Sequence, residues 1–259
     1  MCLVLLGAIR ASAQAPDTVF LEDLTSTEVR DLVRAGTTTM IVPVGGTEQN
    51  GPHMALGKHN ARVRILSERI ARGVGQALVA PVVVYVPEGR IDPPSGHMRF
   101  AGTISVPDDV FQRVLESAAR SVVAHGVRDV VFLGDHGSTQ AGQRAVAVRL
   151  NREWKGAPAR AHAIDAYYRA SDVELKEVLV ARGFRRDEVG THAGLADTAL
   201  MLAVDPRLVR VDRLRPGRGS DRDGVAGDPS RATAEIGRLG ADLIVARTVD
   251  AIRKAIASR

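Results

Sequence analysis

From residue 16 onward, apolar segments of strand character alternate with apolar segments of helical character, and that alternation constrains the fold more than any other feature of the chain. Residues 37–44 (TTTMIVPV) are β-branched and apolar and break at Gly45-Gly46. Residues 79–86 end at Pro87-Glu88-Gly89, residues 129–133 break at Gly134, and residues 159–166 supply a fourth strand. Between the first two, Val63, Leu66, Ile70, Val74 and Ala77 recur at steps of three and four, opposite Arg62, Arg64, Arg69 and Arg72, which predicts a helix over 59–78. Thr25 and Glu28 predict a capping box, and Pro107-Asp108-Asp109 opens a helix striped by Phe111, Val114, Ala118 and Val122. Further helices are expected over 139–154, 172–182, 195–204 and 233–257, with a glycine-rich loop over 216–229. Parallel strands require crossover connections, so the pattern predicts a mostly parallel sheet covered on both faces.

A chain of 259 residues holds one large domain or two small ones, and no linker divides this one. One α/β domain over 16–259 is expected. Its 45% apolar content excludes wholesale disorder. The net charge of +5 comes from 35 cations, all but four of them Arg, scattered among acids, and only 3% of residues are aromatic. That argues against nucleic-acid binding. Beyond the N-terminus no apolar run nears the ~20 residues of a membrane helix, so no membrane partner is expected of the mature chain. Cys2 is the only cysteine, which excludes a disulfide framework and a cysteine-ligated metal site. Residues 1–15 combine an apolar run with Ala13-Gln14-Ala15, the small-x-small form of a signal-peptidase site. They are read as a signal peptide, which places the mature protein in the periplasm or outside the cell; a frayed N-terminal helix is the alternative.

Polar residues collect at the strand ends, where open parallel sheets build their sites. The first strand runs into Gly45-Gly46-Thr47-Glu48-Gln49-Asn50-Gly51-Pro52-His53, with His59 opening the next helix; the third runs into Gly134-Asp135-His136-Gly137-Ser138; Gly190-Thr191-His192-Ala193-Gly194 precedes a helix. Loop histidines are often only solvated, but this concentration is also what a metal site needs. Glu48, His59 and His136 would form a two-histidine, one-carboxylate set, a chemistry that suits zinc and equally non-haem iron.

These blocks resemble the creatininase (creatinine amidohydrolase) family. Residues 42–53 (VPVGGTEQNGPH) are similar to its "lPvGstEqHGpH" signature. Gly96-His97 with Phe100-Ala101-Gly102-Thr103, Gly134-Asp135-His136-Gly137, His192-Ala193-Gly194 with Asp197, and Gly224-Val225-Ala226-Gly227-Asp228 follow in family order. The resemblance implies a three-layer α/β/α fold, often hexameric. It also implies metal-dependent hydrolysis of an amide, cyclic amide or other non-peptide C–N bond of a small molecule. Relatives hold two divalent metals, with one aspartate bridging them.

Carried over position by position, the resemblance keeps Glu48 and His136 as metal ligands and His192 as the catalytic histidine, although His192 also reads as a hydrogen-bonded turn residue. Asn50 stands where the family has a ligand histidine, His59 at the bridging aspartate and Ser138 at a ligand glutamate; Asp197 is a shortened acid. The expectation is therefore one metal per chain on Glu48, His59 and His136, zinc first, with manganese or iron the alternatives. His53 and His97 are expected to shape the pocket, and Asp135 to orient His136. Trp154, Tyr167 and Tyr168 read as core packing or pocket wall. The competing expectation is a non-catalytic binding or scaffold relative that lost the dinuclear site.

Overall fold

The computed structural model describes residues 16–215 and 223–258, so the expected leader and residues 216–222 of the glycine-rich loop lie outside the described residues. Four strands, β1 (Thr39–Val44), β2 (Ala77–Val79), β3 (Asp129–Gly134) and β4 (Arg160–Ala163), form a parallel sheet in the order β2-β1-β3-β4. The helices are α1 (Ser26–Arg34), α2 (Lys58–Val74), α3 (Asp108–Ala124), α4 (Gln140–Glu153), α5 (Asp165–Arg169), α6 (Leu175–Ala181), α7 (Arg186–Val189), α8 (Leu195–Val204) and α9 (Ala234–Ala257). The capping box forms as expected: Thr25 Oγ1 accepts from Glu28 N, and Glu28 Oε2 accepts from Thr25 N.

Every residue of β1 and β3 is buried, because helices cover both faces of the sheet. Alternation along the strands divides their side chains between two cores. Ile41, Val131 and Leu133 pack with Val63, Leu66 and Ile70 of α2, Leu200 of α8 and Ile244 of α9. Met40, Val42, Val44, Val130 and Phe132 pack with Phe111 and Leu115 of α3 and Val146 and Leu150 of α4. The result is a three-layer α/β/α domain. Among the described residues, no helix is long and apolar enough to cross a membrane.

Two elements differ from the sequence pattern. The helix over 59–78 ends at Val74, where Gly75 takes φ +76°, and β2 begins at Ala77. The expected strand over 79–86 survives only as an extended segment beside β1, because Pro81 has no N–H to give the ladder. Val83 still pairs with the end of β1, its N–H donating to Pro43 O at 2.9 Å. The helix expected from residue 172 starts seven residues earlier and passes through a π-helical turn, Ala170–Glu174, before α6.

From β1 the chain turns outward to β2, then returns to place β3 on β1's other side. The strand order thus reverses between β1 and β3. A crevice opens beyond their carboxyl ends, the position where such sheets bind ligands.

Candidate metal centre

Glu48 occupies that crevice, fully buried, four residues past the end of β1. Asn60 of α2 grips the loop that carries it, accepting from Gly46 N at 2.9 Å and donating to Thr47 Oγ1 at 3.2 Å. The two carboxylate oxygens of Glu48 face different surroundings. Oε2 lies 2.9 Å from His136 Nε2 and 3.0 Å from His97 Nε2. Oε1 lies 2.7 Å from His59 Nε2, 3.4 Å from Lys58 Nζ and 3.6 Å from His192 Nδ1. Strand ends, the first turn of α2 and the segment before α8 all converge on one carboxylate.

Glu88 completes the Oε2 side. It follows the extended segment after β2, is 3% exposed, and neither of its oxygens has a hydrogen-bond partner. Its Oε2 lies 3.3 Å from His136 Nε2. Donor atoms of Glu48, Glu88, His97 and His136 all fall within 4.8 Å of one another. Gly46 makes the room: a Cβ there would stand 2.5 Å from Glu88 Oε1, and its φ of +154° itself favours glycine. A buried carboxylate without hydrogen bonds, aimed at imidazole and a second carboxylate, is the chemistry of a divalent-cation site. The residues present fit such an ion.

On the Oε1 side the charges are paired within the protein. Lys58, His59 and Arg62 are all buried at the start of α2. Lys58 Nζ donates to Asp197 Oδ2 at 3.1 Å, and Arg62 donates to Asp197 Oδ1 at 2.8 Å and to both oxygens of Asp135 at 2.9–3.0 Å. Asp135 also receives the Tyr167 hydroxyl at 2.6 Å and His59 Nδ1 at 2.5 Å. Asp135 therefore orients His59, not His136; the Nδ1 of His136 pairs instead with Ser138 Oγ at 2.7 Å.

Burial opposes ionisation of Glu48, Asp135 and Asp197, yet the charges and hydrogen bonds around them hold all three carboxyls below their ordinary range: Lys58 and His59 for Glu48, Arg62 and His59 for Asp135, Lys58 and Arg62 for Asp197. For Glu88 the pull of Lys58 is outweighed, and burial followed by repulsion from Glu48 pushes it up to about 9. Burial lowers His97 and His136, and burial with Lys58 pushes His192 down to about 3. Those imidazoles are neutral bases at neutral pH.

The remaining expected residues separate. Asn50 is buried but turns its amide to Glu48 O and Ala55 O at 2.9 and 3.1 Å, away from the carboxylates. His53 does not line the cavity and clasps Thr198 Oγ1 at 3.1 Å. Ser138 is exposed and donates to Pro87 O. Trp154 packs beside α4 and Tyr167 is buried in the core, while Tyr168 does line the cavity. His192 pairs its backbone with Ala226, and Ala193 follows at φ +52°, a conformation that non-glycine residues seldom adopt. A cavity of about 250 Å³ opens among Lys58, His97, His136, Tyr168, His192 and Asp197.

Sequence reasoning missed Glu88, Lys58 and Arg62. Pro-Glu-Gly served only to end a strand, although the strand-end rule that selected Glu48 applies to Glu88 equally. Helical periodicity puts Arg62 on a polar face, but it is 2% exposed and turned into the site.

An α/β/α domain with carboxylates and imidazoles gathered at its switch point has the architecture and donor set of a cation-binding α/β protein. Comparison with known proteins narrows that class. A family profile described as creatinine amidohydrolase matches residues 22–252, and the chain belongs to the creatininase family. It is 27% identical to creatinine amidohydrolase of Pseudomonas putida over 254 residues, covering 91% of this chain and 96% of that one. It is 29% identical to a mycofactocin precursor peptide peptidase of Mycobacterium ulcerans (strain Agy99) over 233 residues, 77% of this chain and 78% of the relative. A solved mutant creatininase described as Zn-Zn type aligns with TM-score 0.77 at 26% identity, over 93% of this chain and 99% of its own.

Proposed function

We propose that this chain is a metal-dependent amidohydrolase that cleaves a non-peptide C–N bond, amide or cyclic amide, in a small molecule. The observation that carries this reading is the convergence of buried carboxylate and imidazole donors around Glu48 and His136, beside a neutral His192, at the mouth of a cavity. A divalent ion, zinc in the first instance, supplies a water of lowered pKa and polarises a carbonyl when bound. Glu48 and His136 are its anchors.

His192 is placed to move the proton. Its Nε2 donates to Gln49 O at 2.9 Å, which leaves Nδ1 with a free lone pair on the site side. The neutral ring accepts a proton as water attacks and returns it to the departing nitrogen. Lys58 Nζ lies in the same cavity wall, where a fixed ammonium stabilises negative charge developing on oxygen. About 250 Å³ of space favours a compact substrate over a long peptide.

The names of the two relatives, one an amidohydrolase and one a peptidase, set the two substrate classes to be compared. Chelated and metal-restored protein assayed on cyclic amides, formamides, ureides and short peptides tests the reading. Metal-dependent turnover of a non-peptide amide, lost in Glu48→Ala and His136→Ala, is expected; turnover untouched by either substitution would end the proposal. We further infer a homo-oligomer, to be checked by light scattering, and export with cleavage before Pro16, to be checked by N-terminal sequencing.

A further inference from the structure

We propose that Glu88, rather than His59 or His97, is the third protein ligand of a single divalent ion held with Glu48 Oε2 and His136 Nε2. The proposal rests on the metal-dependent reading above and assigns a ligand that the family's motif positions do not contain.

The hydrogen-bond pattern makes the assignment. His136 Nδ1 lies 2.7 Å from Ser138 Oγ, whose own hydrogen goes to Pro87 O at 2.6 Å. Ser138 N approaches the same nitrogen at a longer 3.2 Å; with the Ser138 hydroxyl hydrogen committed to Pro87 O, the shorter Oγ contact puts the ring hydrogen on Nδ1, and Nε2 presents a bare lone pair to Glu48 Oε2 at 2.9 Å and Glu88 Oε2 at 3.3 Å. Once Glu88 gives up its proton, three acceptors face one another with no hydrogen between them, and a cation is what such an arrangement holds. Neither oxygen of Glu88 is committed elsewhere, and Gly46 leaves the space its carboxylate fills.

The neighbouring imidazoles are engaged differently. Gln49 donates its amide hydrogens to Gly224 O at 2.9 Å and to His97 Nδ1 at 3.2 Å. His97 Nε2 then carries the hydrogen and donates it to Glu48 Oε2, so His97 offers no lone pair to a metal. His59 lies against the other oxygen, Oε1, and is held there by Asp135. Two carboxylates and one imidazole leave a fourth position open, which is the usual arrangement of a catalytic zinc. The two carboxylates balance the charge of one divalent ion. The ammonium of Lys58, between Glu48 Oε1 and Asp197, occupies the side where a second ion would have to sit.

The test is zinc affinity measured by chelator competition on the full chain for wild type, Glu88→Gln and His59→Gln, together with a zinc-edge anomalous map of crystals of the zinc-loaded wild type. Loss of a ligand should weaken binding by about 100-fold or more, whereas a residue that supports a ligand costs about 10–100-fold. We expect Glu88→Gln to fall in the first range, His59→Gln in or below the second, and the map to show one ion per chain within about 2.2 Å of a Glu88 oxygen. Equal affinity of Glu88→Gln and wild type, or an ion bonded to His59 with Glu88 beyond bonding reach, would overturn this assignment alone. A wild type that binds no divalent metal would overturn the metal-dependent reading with it. Should Glu88→Gln fail to fold, the wild-type map decides the question by itself.

Discussion

Replacing Lys58 with methionine removes a charge while keeping most of the side-chain volume, so its effect reports on the buried electrostatic network. The ammonium is 1% exposed and sits 3.1 Å from Asp197 Oδ2 and 3.4 Å from Glu48 Oε1. At an effective dielectric near 20 each contact is worth about 5 kcal/mol before desolvation. Breaking a buried pair from one side costs about 3–5 kcal/mol, because the remaining charge is left buried. Arg62 still holds Asp197 Oδ1 at 2.8 Å, so the lower end, about 3 kcal/mol, is expected. In a domain of ordinary stability that is a large fraction of the total and lowers Tm by roughly 6–12 °C. Urea unfolding of metal-free wild type and Lys58→Met, followed by circular dichroism at several pH values, measures it. Glu48 and Asp197 titrate below their ordinary range in the folded state. Their contribution is therefore complete above the unfolded carboxyl pKa of about 4 and is lost as pH falls through the folded values. The gap between wild type and variant should be full at pH 7 and shrink in acid. A gap below about 1 kcal/mol at pH 7, or one that does not change with pH, would refute the reasoning.

Glu88 behaves in the opposite sense: with its folded pKa raised to about 9, the metal-free fold holds a proton that the unfolded chain releases, so stability should fall as pH rises from the ordinary carboxyl range to about 9, and Glu88→Gln should flatten that slope. Tyr167→Phe removes the hydroxyl that donates to buried Asp135 at 2.6 Å and should lower unfolding free energy by about 1.5–3 kcal/mol, as read by the urea midpoint at constant m. His192→Ala should reduce kcat by about 10²- to 10⁴-fold while zinc content, measured on the same preparation, stays at the wild-type level.

Much of this was legible in the sequence because two periodicities coincide with function. Residues 39–44 and 129–134 are apolar throughout because both faces of the strands are covered, and the glycines that end them mark the sheet edge where Glu48, Asp135 and His136 meet. His59 lies with them because a helix starting at residue 58 points its first turn at the same edge. What the pattern concealed was the direction of individual side chains. Arg62 sits at a position that amphipathic periodicity gives to solvent, and only Asp135 and Asp197, distant in sequence, explain its burial. Glu88 follows a segment whose strand pairing Pro81 interrupts, so nothing local shows that its carboxylate turns inward. Asn50 and Ser138 occupy metal-ligand positions by resemblance, yet the hydrogens they donate go to backbone carbonyls. That choice belongs to loop geometry, not to residue type.

The central claim is tested most directly by the metal content of protein purified without chelators, measured by mass spectrometry of wild type and Glu48→Ala side by side. The account predicts about one zinc-class divalent ion per wild-type chain and almost none in Glu48→Ala. A wild-type chain that remains metal-free after zinc and manganese supplementation, or a Glu48→Ala chain that holds the ion as tightly as wild type, would contradict it.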